Sequence, residues 1–382
     1  MAFGDDAYAI ARSALAKWDL RPVAGARVLV KPNAGRVAAQ GTGTNTSPEV
    51  VAAVIDALRE SGAIVSVGDS PIAGVGPRQA LEASGIAAIV RRRNVPLLDF
   101  DERPCITVPI PNGRAIDHIK VCADVFEHDW IVSVPVTKTH MHTGVTLSVK
   151  NMKGCLWRRS KVALHMLPPV EGMTEKPLDI AICDMSRLLR PHLSVIDGML
   201  GMQGLGPSAG QPKALGAVIV GVDAYAADAV ACCLMGHRAE DVAHLRLGAE
   251  QGYGVIDLTR IRVFPEDWAA YANPFDPPPG DVAIDFPNVR VLDENSCSAC
   301  QSTLMMFLKR YGPTLFEYFP EDHPVQVAIG KGHRSVEPGT LCLGNCTAAH
   351  RHTGVFVPGC PPVVSTIQTV LARGSVKDDE RR

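Results

Sequence analysis

The stretch from Arg27 to Asp69 limits the possible folds more than any other. Arg27-Val-Leu-Val-Lys31 has the length and apolarity of a strand and ends at Pro32-Asn33. The loop Gly41-Thr-Gly-Thr-Asn-Thr46 leads to Ser47-Pro48-Glu49, with Ser47 placed as a helix N-cap and Pro48 at the first helical position. The spacing predicts a helix to Glu60, a stop near Gly62, and a second strand, Ala63-Ile-Val-Ser-Val-Gly68, ending at Asp69-Ser70. Strand, helix and strand form a βαβ unit, which joins parallel strands through a crossover. The expected fold class is α/β: a mostly parallel open sheet domain, with a small α/β unit at the C-terminal end.

The rest of the chain fits that plan. Helices are predicted over residues 5–18, 77–83, 177–190 and 224–235, and strands over 129–134, 192–197 and 217–221. Residues 106–110 and 116–122 read as a hairpin around Pro111-Asn-Gly113. Residues 137–143 and 198–210 read as loops. A proline-rich stretch, 273–287, reads as a linker between a first domain, 1–272, and a cysteine-rich domain, 288–374. In the latter, strands are expected at 289–292 and 325–330 and helices at 297–310 and 361–373. The charged tail, 375–382, is expected to be disordered.

Charge and cysteine usage narrow the function. A net charge of −2 gives no hint of nucleic-acid or membrane binding. No apolar run reaches the roughly 18 residues of a membrane span. The N-terminal residues lack a basic stretch followed by an apolar one, so no secretory signal is expected. Eleven cysteines, an odd count, then point to reduced thiols and a cytoplasmic location.

Five of those cysteines fall near the end, as Cys297-Ser-Ala-Cys300, Cys342-Leu-Gly-Asn-Cys346 and Gly359-Cys360-Pro-Pro. Thiolates gathered from separate loops hold iron–sulfur clusters and structural zinc. Cys297 and Cys300 lie three apart at a helix start, which favours thiolates on one face. Glycine before Cys346 and Cys360 lets the backbone turn tightly, and Pro361 fixes the chain beyond. A [4Fe–4S] cluster is the expected cofactor. Zinc competes, although the gap from Cys300 to Cys342 is longer than in zinc ribbons, as do a disulfide and unligated thiols. The pattern resembles the proximal-cluster site of nickel–iron hydrogenase small subunits and the related complex I subunit. That resemblance selects Cys297, Cys300, Cys346 and Cys360 as ligands and leaves Cys342 as a core thiol.

Three polar loops mark a second site. One holds Lys31, Asn33, Thr44 and their neighbours; another Lys138, Thr139, His140 and His142; the third Lys150, Asn151 and Lys153. Such loops gather at one crevice of an open parallel sheet. Lysines with hydroxyls and an amide suit an anion, carboxylate or phosphate. The helix start at Ser47 would add N–H groups. His140 and Lys138 are the candidate catalytic residues, with His140 as proton donor; Lys31, Asn33, Thr44, Lys150 and Asn151 are the candidate binding residues. His140 and His142 could instead hold a metal, and a solvated loop without a ligand is the bland alternative.

Taken together, Val28-Leu-Val-Lys-Pro-Asn33, Thr46-Ser-Pro-Glu-Val-Val51, Val134-Pro-Val-Thr-Lys-Thr-His140, Val149-Lys-Asn-Met-Lys-Gly154, Ile196-Asp-Gly198, Gly206-Pro207 and Gly221-Val-Asp-Ala-Tyr-Ala-Ala-Asp228 resemble the domain-of-unknown-function 362 (DUF362) family, often labelled iron–sulfur proteins, over roughly residues 25–260. Many members carry a ferredoxin-like run of close cysteines, which this chain replaces with its dispersed set. The resemblance implies no general activity. The expectation is a cytoplasmic iron–sulfur oxidoreductase acting on an anionic small molecule or second cofactor. A redox partner protein and a homo-oligomeric state are further expectations, with no nucleic acid and no membrane. A Lewis-acid lyase or isomerase and a non-enzymatic electron or cofactor carrier are the alternatives.

Overall fold

The computed structural model describes residues 1–72, 75–278, 286–319 and 323–373. The chain divides into two compact units, Met1–Gly280 and Asp281–Arg382.

The strands of the first unit are β1 (Ala2–Phe3), β2 (Arg27–Pro32), β3 (Ile64–Asp69), β4 (Leu97–Asp99), β5 (Cys105–Pro109), β6 (His118–Cys122), β7 (Trp130–Val134), β8 (Val136–His140), β9 (Gly144–Thr146), β10 (Leu193–Gln203), β11 (Gln211–Lys213) and β12 (Ala217–Gly221). The large sheet runs β1-β12-β10-β7-β2-β3-β4, with β8 and β11 on β10 and β9 on β8, while β5 and β6 form the expected hairpin. β2 is parallel to β3 on one side and to β7 on the other. β3–β4 and β7–β10 are also parallel, and the antiparallel pairs β10–β12 and β12–β1 close the far edge. The α/β fold with a mostly parallel sheet is thus the fold of this unit.

Side-chain alternation explains the layers. Val28, Val30, Val65, Val67, Val132 and Val134 share one core with helices Ala7–Leu15 and Pro48–Glu60. Leu29, Ile131, Ile196 and Ile219 belong to the other, with helices Pro177–Ser186 and Ala224–Leu234. Strands covered on both faces have to be apolar throughout, hence the unbroken Val/Leu/Ile runs. Each such side chain, fully buried, contributes about 1.5–3 kcal/mol. Lys31 interrupts that pattern at the C-terminal end of β2 and is fully buried.

Several local expectations change. Residues 137–140, expected in a loop, are strand β8, because β8 pairs with β10 and β9. Residues 198–203 extend β10 into the glycine-rich segment, where β11 pairs with them. Ser47 sits at the predicted helix start, but its hydroxyl bonds Glu49 Oε2 at 2.7 Å rather than capping the helix. In the expected linker, Asn273 and Phe275 donate backbone N–H bonds to Leu234 and Met235, and Phe275 is buried in the first unit's core. Residues 279–285 of that linker and the tail 375–382 lie outside the described residues.

In the second unit, β13 (Val289–Asp293), β14 (Val325–Ile329), β15 (Leu341–Leu343) and β16 (Val355–Val357) form an all-parallel sheet in that order. Helix Ser298–Leu315 and helix Val364–Arg373 belong to this unit. The second starts three residues later than predicted, as Pro361 and Pro362 hold the preceding chain out of a helix.

Candidate functional site

In the first unit the strand order reverses between β2 and β7: β3 and β4 extend the sheet to one side, β10 and β12 to the other. Open α/β sheets bind ligands at the carboxyl ends of strands flanking such a point. Lys31 and Asn33 end β2, Asp69 ends β3, and Lys138 and His140 lie on β8, which follows β7 after one residue.

These residues meet. Lys31 Nζ lies 2.6 Å from Asp69 Oδ1 and donates to Asn151 Oδ1 at 3.1 Å. Asn33 donates to the same Asn151 oxygen at 3.2 Å and accepts from Lys138 Nζ at 2.7 Å. Lys138 also donates to the Thr44 carbonyl at 2.8 Å, so Thr44 takes part through its backbone. Asn151 Nδ2 donates to Lys31 O and to Ser133 Oγ, which sets its orientation. Lys150 donates to Thr146 Oγ1 at 3.0 Å. One network therefore joins residues up to 120 positions apart.

The set is dry. Lys31 is 0% exposed, Lys138 3% and Lys150 7%. Burial, with Arg36 next, pushes the Lys138 amine down to about 7. Burial, with Lys153 next, pushes Lys150 well down, and burial beside Lys161 brings Lys153 to about 7. His140 is held well below its ordinary value by burial and then by Lys150. Its Nδ1 accepts the His142 backbone N–H at 3.1 Å, which leaves the proton of the neutral ring on Nε2. The rings of His140 and His142 stand 5.9 Å apart, those of His142 and His165 6.3 Å. Among the described residues, no group of three or more His, Cys, Asp and Glu is placed to hold a metal ion.

Two aspartates work behind the site. Asp228, on helix Ala224–Leu234, accepts the Ser148 and Val149 N–H groups at 2.7 and 2.9 Å, which fixes the turn carrying Lys150 and Asn151. Burial raises its carboxyl to about 8. Asp197 takes the Ser47 N–H at 2.7 Å, so the helix start expected to face the anion has that donor occupied.

The sequence reading missed Arg36, Asp69, His165 and Lys161 as members of this neighbourhood and gave Asp228 no role. Asp69 had a usable signal: an acid ending the second strand of a βαβ unit. Lys161 and His165 had none, since their approach depends on tertiary packing.

In the second unit the cysteines follow carboxyl ends of parallel strands: Cys297 and Cys300 after β13, Cys346 after β15, Cys360 after β16. Cys300 donates to Cys297, whose thiol falls to about 6 through that bond despite burial. Cys300 is pushed up by the same bond, then by burial and by the nearby charges of Cys297, Cys346 and Cys360. Cys300 is therefore within electrostatic reach of the other three, although among the described residues no three are drawn together as around a single ion. Gly344 has φ +92°, and a Cβ there would sit 3.3 Å from Cys300 Sγ. Glycine at 344 thus keeps space open beside Cys300 Sγ. Cys342 lies within β15, between Leu341 and Leu343 of the core; a Cβ on Gly354 would come within 2.8 Å of its sulfur. Burial raises its thiol to about 11.

The family described as "Domain of unknown function (DUF362)" matches residues 28–233, more than half of the chain. "Thylakoid-associated protein sll1697" of Synechocystis sp. (strain ATCC 27184 / PCC 6803 / Kazusa) is 29% identical over 206 residues, 54% of this chain and 62% of that protein. The match thus spans less than two thirds of that relative's length. The lactate racemase apoprotein from Thermoanaerobacterium thermosaccharolyticum resembles the chain with a TM-score of 0.44 and 12% identity, covering 98% of this chain and 80% of that one.

Proposed function

This chain belongs to the DUF362 family, and on that premise we propose that it is an iron–sulfur redox enzyme acting on an anionic small molecule or second cofactor. The anion is held by Lys31, Asn33, Lys138, Lys150 and Asn151, with Thr44 shaping the site through its carbonyl. The observation that carries the reading is the burial of several lysines around one amide network. Taking ammonium groups out of water costs several kcal/mol each unless a counter-charge arrives. Such groups suit a ligand site, and their burial counts against a flat docking patch for a partner protein.

Within this site Lys138 is the acid–base group. An amine near 7 gives and takes a proton at neutral pH, as general acid–base catalysis requires. His140 is neutral and donates an Nε2–H hydrogen bond to the ligand; the proton-donor role expected of it passes to Lys138. Lys31, paired with Asp69, anchors the anion. Cys297, Cys300, Cys346 and Cys360 would hold a [4Fe–4S] cluster, which supplies single-electron transfer. With a thiolate for each iron, no open iron is required, which ranks the Lewis-acid alternative lower. No described helix is long and apolar enough to cross a membrane, and a cytoplasmic setting is part of the proposal.

Purified without oxygen, the chain is expected to carry iron and acid-labile sulfide. At constant ionic strength its melting temperature should rise with at least one of acetate, succinate, sulfate and phosphate. Absence of both iron and sulfide removes the cluster half of the proposal; indifference to all four anions removes the other half.

A further inference from the structure

Three ammonium groups of the first unit have only neutral partners. Lys138 donates to Asn33 and to the Thr44 carbonyl, Lys150 to Thr146, and Lys153 Nζ sits 2.6 Å from His165 Nε2. Among the described residues none of the three forms an ion pair. The Nε of Arg36, whose charge acts on Lys138, is buried without a hydrogen-bond partner. Lys31 and Lys161, by contrast, are matched by Asp69 and Asp101. Lys153 feels Lys161, Lys150 feels Lys138 and Lys153, Lys138 feels Arg36 and Lys31, and Lys161 feels Lys31, so the six cations are linked electrostatically. Three carboxylates act on these six positive groups, Asp69 and Asp101 in ion pairs and Asp179 on Lys150 from beyond contact, so at least three charges remain unmatched when all are protonated.

We propose that the anion bound here carries a phosphoryl group and enters as a dianion. The inference rests on the reading of these lysines as an anion site and names the ligand's chemistry. A phosphoryl group brings a charge of about −1.5 to −2 at neutral pH and three acceptor oxygens. A lone carboxylate brings one charge and two oxygens in a plane. The donors are mostly lysines, point charges arriving from β8 and from the turn after residue 148, rather than the arginine forks that match planar carboxylates. Point charges impose no plane on the group they bind, so they suit a tetrahedral oxyanion at least as well as a flat carboxylate. The site's own protonation follows. Without a counter-anion, burial keeps Lys138 and Lys153 near neutrality, so a dianion settling among them draws protons onto both.

Isothermal titration calorimetry at pH 8 on the anaerobically purified full chain tests this, in two buffers of different ionisation enthalpy. The probes are inorganic phosphate, glycerol phosphate, sulfate, succinate and acetate. Phosphate or glycerol phosphate should bind tightest, with uptake of about one to two protons and affinity falling as pH rises. Glycerol phosphate ahead of phosphate marks a phosphorylated metabolite; the reverse marks free phosphate. Lys153→Met should weaken binding about tenfold or more and reduce the proton uptake, while Lys120→Met, on the surface, should change neither. If Lys153→Met does not fold, the buffer dependence in the wild-type chain decides. Acetate or succinate binding without phosphate or glycerol phosphate would overturn the phosphoryl inference and leave the anion site standing. Phosphate binding with no buffer dependence would overturn it too. No binding by any probe would take both down.

Discussion

Replacing Lys138 by methionine removes one buried ammonium while keeping a chain of similar length. Its amine donates to Asn33 Oδ1 and the Thr44 carbonyl and meets no carboxylate. Burial, helped by Arg36, lowers it from 10.5 to about 7, which corresponds to about 5 kcal/mol against the charged form. Between about 7 and 10.5 the unfolded chain holds a proton that the folded chain has released. This lysine's penalty is therefore full below 7 and relaxes as pH rises, so its contribution makes the wild-type chain more stable with increasing pH across that window. Methionine abolishes this term. Against it, two buried acceptors go without a donor, at a cost of about 2–6 kcal/mol together. Lys138→Met should therefore lie within about 3 kcal/mol of wild type at pH 7 and lose about 3–4 kcal/mol relative to it between pH 7 and 10, as rough figures from those two terms. All four tryptophans, Trp18, Trp130, Trp157 and Trp268, lie in the first unit, so urea unfolding followed by their fluorescence reads that unit alone. The assay compares both proteins from pH 7 to 10 in buffers free of multivalent anions. Parallel pH profiles would refute the reasoning, because they would mean that Lys138 is not a desolvated amine without a counter-charge.

Gly154→Ala should destabilise the first unit by about 1–3 kcal/mol, since the new Cβ would fall 2.5 Å from Asp69 Oδ1 and 2.6 Å from Lys31 Nζ inside a packed site; the urea midpoint measures it. Asp228→Ala strands the buried N–H groups of Ser148 and Val149 and should cost about 2–4 kcal/mol, with weaker anion binding in the same calorimetric titration because Lys150 and Asn151 lose their fixed turn. Gly344→Ala combines a positive φ with a Cβ 3.3 Å from Cys300 Sγ; iron per chain should fall while the tryptophan-reported unfolding stays unchanged.

The βαβ unit was legible because a strand covered on both faces needs a continuous apolar run, and Val28-Leu-Val30 and Val65-Ser-Val67 come close to one. Residues 137–140 were not. Thr-Lys-Thr-His reads as a polar loop, and only pairing with β10 and β9, together with partners for Lys138 and Thr139, makes it a buried strand. The binding residues could be nominated from their loops, yet Asp69 and Asp228 could not be given their jobs, as both act across 35 or more positions on groups that sequence spacing does not bring together. Strand alternation separates Cys342 from the other four cysteines, a distinction that depends on knowing that residues 341–343 are a strand.

The proposal stands or falls on whether the second unit holds a redox cluster. Iron and acid-labile sulfide analysis of anaerobically purified protein, with an EPR spectrum after dithionite reduction, tests it most directly. About four iron and four sulfide per chain are expected in the wild type and in Cys342→Ala, with a reduced-cluster signal that Cys346→Ala abolishes. Wild-type protein without iron or sulfide, or a signal that depends on Cys342 and survives Cys346→Ala, would contradict it.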